Sequence, residues 1–98
     1  MFKKTIISLV LGLSLVAAAP ASAGCFADYK AKTENPLRLH YGVVKLPDAA
    51  CSNSGRAASI VKQRLAARGW ELLKVLSTFD DSGLASRKAK AGANFLKF

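Results

Sequence analysis

An apolar run near the start decides how much of this chain is available to fold. Ile6 to Ala19 is 14 residues long and nearly uninterrupted, with Lys3 and Lys4 before it and Pro20 after it. A membrane-spanning helix needs about 20 apolar residues, so this run is short for a span. A basic start, an apolar middle and a small-residue end are the three parts of a secretory signal peptide. Ala21-Ser22-Ala23 supplies the small residues and places the cut between Ala23 and Gly24. The expected layout is a signal peptide over 1–23, a polar N-terminal arm over 24–36 and one small domain over 37–98.

Removing 23 of 98 residues leaves 98 − 23 = 75. A domain of that size has a thin core and benefits from a covalent staple. Cys25 and Cys51 both survive the cut. Two cysteines in an oxidising compartment pair by default. The loop so closed is worth roughly 3 kcal/mol through the entropy it removes from the unfolded chain. A competing reading takes Ser22-Ala23-Gly24-Cys25 as a lipoprotein box with lipid on Cys25. It is the weaker one. Ser22 stands where a branched apolar residue is usual, Pro20 and small residues separate the apolar run from Cys25, and lipidation would strand Cys51.

Periodicity organises the rest. Leu37, Leu39, Tyr41 and Val43 alternate with Arg38, His40 and Gly42, the pattern of a strand with one buried face over 37–46. Ser52, Asn53 and Ser54 are each able to cap a helix expected over Arg56 to Arg68, with Ala57, Ala58, Val61 and Leu65 on its inner side. Gly69 is the expected helix stop, with Trp70 folding back onto the last turn near Leu65. Glu71 to Phe79 reads as a second strand with Leu73 and Val75 inward. Asp80 to Gly83 is a turn signal, Leu84 to Gly92 a long basic hairpin loop, and Ala93 to Phe98 a last short strand. The class is α+β, in the order strand-helix-strand-strand. The three-stranded sheet packs on one helix, with a parallel pair bridged by the last strand.

"LHYGVVKLP", the amphipathic helix, "LAARGWELLKVLS" and the closing "NFLKF" resemble the DUF4177 family of small bacterial proteins over about Leu37 to Phe98. Gly69-Trp70-Glu71-Leu72 is the most specific part of the likeness. The signal peptide, the two cysteines and the basic loop depart from it. The resemblance implies a compact strand-helix-strand-strand fold and carries no activity or site residues.

No constellation for catalysis emerges. Ser59-x-x-Lys62 matches a serine-acylation motif but lacks its companion motifs, and both residues fall on the outer face of the helix. His40 is the only histidine and alternates outward, and one histidine with two distant cysteines is a poor metal set. Asp80 and Asp81 lack calcium-loop spacing. No cofactor, metal or catalytic residue is therefore expected, and a small hydrolase is a remote alternative.

Charge is the feature above background. Without Lys3 and Lys4, 15 − 2 = 13 basic residues face 6 acidic ones, a net +7. Such a balance favours acidic partners. Arg87, Lys88 and Lys90 are the candidate contacts. The expected function is that of an exported, periplasmic or secreted, non-enzymatic interaction module. Its partner is a protein or an anionic envelope component. The alternative is an envelope stress or membrane-associated factor acting electrostatically. Export sets nucleic acid aside, and no transmembrane segment remains after cleavage.

Overall fold

The computed structural model describes residues 24–98. The signal peptide expected over 1–23, with the expected cut after Ala23, lies outside the described residues. Strand β1 runs Phe26–Thr33, β2 Arg38–Lys45, helix α1 Ser54–Ala66, β3 Glu71–Phe79 and helix α2 Ala85–Ala91. The sheet order is β2-β1-β3, with β1 antiparallel to both neighbours. This is the α+β class with a three-stranded sheet. The flanking strands β2 and β3 are mutually parallel and are bridged by a middle strand, as expected.

The middle strand is not the expected one. The segment read as a loose arm over 24–36 holds the central strand β1, and the tail read as the last strand holds none. The described order is therefore strand-strand-helix-strand-helix. Ala27, Tyr29 and Ala31 alternate with Asp28, Lys30 and Lys32, a clean period of two carried, Tyr29 apart, by residues of low strand propensity. The small side chains have a purpose. Ala27 and Ala31 lie fully buried in one cluster with Ala57, Val61 and Leu65 of α1, so the helix comes close to the sheet. Glu34 to Leu37 turns the chain from β1 into β2, with Asn35 at φ 63°, a conformation that asparagine tolerates.

Cys25 and Cys51 form the expected disulfide, with Cα atoms 5.8 Å apart. It joins the start of the central strand to the short turn Asp48–Ser52 that precedes α1. Asn53 caps α1 by accepting from the Arg56 N–H at 3.0 Å. At the far end Gly69 takes φ 84°, and the Trp70 N–H donates to the Leu65 carbonyl at 2.9 Å. That is the expected glycine stop with its fold-back.

Strand β3 departs from its expected facing. Asp28 pairs with Ser77 and Tyr29 with Val75, so Leu76 is an extra residue. Lys30 pairs with Lys74 and Ala31 with Leu72, so Leu73 is another. Each bulge turns a leucine outward. Leu72, not Leu73, joins Val75 against the α1-side core.

The second sheet face carries its own cluster of Phe26, Val43 and Ala91, with Tyr41, Phe79, Leu84 and Phe95 packed on it. Helix α2 supplies Ala91, and it occupies the stretch read as a hairpin loop. The C-terminal segment follows the outer edge of β2. Phe95 makes a single parallel bridge with Val43, and the Leu96 N–H donates to the Val43 carbonyl at 2.8 Å. Leu96 at φ 56° then ends the extension. Phe95 and Phe98 consequently straddle the edge, one joining each cluster.

Candidate functional site

Leu39, Tyr41 and Val43 form one apolar stripe of β2, with Leu37 in the turn just before it, and α2 covers only half of the stripe. Val43 is fully buried and Tyr41 partly so, whereas Leu39 is 65% and Leu37 64% exposed. The bulged Leu73 of β3, 48% exposed, adds to the bare half. Lys30, Ala31, Leu39, His40, Tyr41 and Leu73 line a depression of about 290 Å³ on the sheet there.

Lysines ring this apolar floor. Lys30 of β1 and Lys74 of β3 are direct register partners, and both are exposed. Like charges placed opposite each other across a sheet cost stability. The Lys90 ammonium stands 4.5 Å from the centre of the Tyr41 ring. Lys32 sits further along β1 on the same face, bonded to Glu34.

The three residues expected to contact an anionic partner are not equivalent. Lys88 and Lys90 are exposed on α2. Arg87 points inward, because Leu84, Arg87 and Ala91 share the face of α2 that meets the sheet. Its Nε donates to Asp28 Oδ2 at 3.1 Å, and its guanidinium lies 3.9 Å from the centre of the Phe79 ring. Arg87 is thus withdrawn from the role given it by its place in a basic run.

Asp28, 6% exposed, is the hub of that contact. Its carboxylate also accepts from Tyr41 Oη at 2.8 Å and Ser77 Oγ at 2.7 Å. All three strands and α2 therefore meet at one carboxylate. Burial pushes the Asp28 carboxyl up. The hydrogen bonds from Ser77, Tyr41 and Arg87, with the charge of Arg87, outweigh it and hold the group below its ordinary 3.8. Tyr41 is pushed up to about 12, first by burial and then by its bond to Asp28.

His40 does not point into solvent. It faces the α1 side, where Nε2 shares a 2.9 Å hydrogen bond with Tyr29 Oη. Its ring is 4.2 Å from Trp70 and 5.5 Å from Phe98, centre to centre. Gly42 makes room for this, since a Cβ there would meet Tyr29 Cζ at 2.6 Å. The charged groups around the cluster are cations: Arg38 over Trp70, with Arg68 and Lys97 over Phe98. Among the described residues, His40 Nδ1 is buried without a hydrogen-bond partner. Burial, then the charge of Lys97, holds the His40 pKa below 6.5.

The sign of the pH effect follows. The unfolded chain takes up a proton near pH 6.5, before the folded chain does. His40 therefore contributes stability above that pH, and the contribution is lost as pH falls through the lower folded value. The wild-type melting temperature is expected to drop between pH 7.5 and 5, and His40→Gln to reduce that drop. Equal drops in both proteins would contradict this account of the cluster.

Ser59 and Lys62 are both exposed on α1. Among the described residues, no group of three or more histidine, cysteine or acidic side chains is placed to hold a metal ion. Also among the described residues, no helix is long and apolar enough to cross a membrane. No family model, curated protein or solved structure matches the chain.

Proposed function

We propose that this chain is an exported, non-enzymatic binding module whose bare half-face takes a negatively charged envelope partner. The observation that carries the reading is the juxtaposition of Lys30 with Lys74 beside an uncovered apolar stripe. A fold under selection for stability alone has no use for that like-charge pair. A surface that meets negative charge does, because binding relieves the repulsion. Lys90 and Lys88 extend the positive field from α2, and the net +7 of residues 24–98 favours the encounter. The disulfide fits an oxidising compartment.

Titration of the isotope-labelled protein with inorganic polyphosphate tests the reading. Amide shifts are expected to concentrate at Lys30, Leu39, Tyr41, Leu73 and Lys74 and to collapse at high salt. Shifts centred on the outer face of α1, or none at all, would contradict it.

A further inference from the structure

We infer that the partner of the bare half-face is an anionic phospholipid bilayer, which the uncovered end of the sheet meets beside α2. The inference rests on the reading of that face as the binding surface and names what it binds.

Residue type argues for lipid over protein. The centres of protein–protein interfaces favour tryptophan, tyrosine and arginine and are poor in lysine, and leucine is under-represented among their energetic anchors. This patch is built the other way. Leu39 and Leu73 project from it, and the cations around them are Lys30, Lys74 and Lys90. Leucine beside lysine is the composition of surfaces that lie in the membrane interface. There, apolar side chains enter the acyl boundary while long lysine stems keep their ammonium groups at headgroup level. Lysine also serves as a point charge without a preferred fork geometry, which suits mobile headgroups better than one fixed carboxylate.

The geometry agrees. Leu39 comes from β2, Leu73 from β3 and Lys30 from the middle strand, and all three line one depression on the side of the sheet that α2 leaves bare. A second copy of the chain is a poor occupant, because face-to-face pairing would bring two lysine-bearing faces of the same charge together.

Co-sedimentation with lipid vesicles tests this. The protein is expected to bind vesicles of phosphatidylglycerol mixed with phosphatidylcholine and to ignore pure phosphatidylcholine. Leu39→Ser with Leu73→Ser, both at exposed positions, should weaken binding about tenfold. Lys30→Gln, Lys74→Gln and Lys90→Gln together should weaken it about 100-fold. Equal binding to neutral vesicles would overturn the inference. So would leucine variants that bind like the wild type, because the attraction would then be electrostatic without apolar docking. If vesicles fail while polyphosphate, or an acidic protein, shifts the same residues, the lipid identity falls and the binding face stands. If neither vesicles nor polyanion reaches the face, both fall.

Discussion

Asp28→Asn is expected to destabilise the protein by about 3 kcal/mol, the usual scale for removing one partner of a buried, hydrogen-bonded ion pair. The substitution keeps the shape and removes the charge. Arg87, Tyr41 and Ser77 all aim donors at Asp28, so three bonds from three different elements weaken together. Urea denaturation is the measurement, and the midpoint should fall with an unchanged slope. A double-mutant cycle with Arg87→Gln should show strong coupling, because the two side chains touch. The same carboxylate sets an acid limit. Its folded pKa lies below 3.8, so its stabilisation is intact above that value and is lost as pH falls through the folded value. The Asn variant should lack that part of the acid transition. A midpoint within experimental error of wild type would show that the Asp28 contacts contribute nothing net.

The disulfide carries the second large effect. Its cysteines are 26 residues apart, and replacing both Cys25 and Cys51 with Ala should cost about 3 kcal/mol. The total stability of a domain this size is only about 4–11 kcal/mol, so the loss is a large share. Cys25 opens the central strand and is fully buried, so the bond anchors the middle of the sheet. A clip on a dispensable arm would matter less. Thermal melting in the presence and absence of reductant, beside the double Ala variant, measures the effect. Reduced wild type and the variant should melt together, well below the oxidised protein. Coincident melting of all three would contradict the assignment.

Elements whose apolar residues keep one period were legible in the sequence. Strand β2 announced itself through Leu39, Tyr41 and Val43, and α1 through Ala57, Val61 and Leu65 with its Gly69-Trp70 stop. Strand β1 was hidden by composition. Its helix-facing side is Ala-Tyr-Ala and its other side is mostly charged, so it looks like a solvated arm until the close approach of α1 explains the alanines. Strand β3 was visible as a strand but not in its facing, because two bulges break the alternation. Helix α2 is only seven residues long and has no side-chain cap, which left a basic Ala-rich stretch to read as loop. The tail misled in the opposite sense, since Phe95-Leu96-Lys97-Phe98 has strand composition but Leu96 turns it.

The candidate site was half visible for the same reason. The apolar stripe of β2 is plain in the sequence, but which half stays bare depends on where α2 lands. Arg87, Lys88 and Lys90 look alike as a run and separate only when a helix turns one of them inward to a carboxylate 59 residues away. Lys30 and Lys74 belong to one site only through the pairing of β1 with β3.

The central claim is that position on this face, rather than total charge, governs binding. Two triple variants with equal charge test it most directly. One carries Lys30→Gln, Lys74→Gln and Lys90→Gln. The other carries Arg56→Gln, Lys62→Gln and Arg68→Gln, all exposed and on the α1 side of the sheet. Each lowers the net charge of residues 24–98 from +7 to 7 − 3 = +4. The account predicts that polyphosphate affinity collapses in the first and stays near wild type in the second. Equal losses in both would contradict it and leave a basic domain with no defined binding face.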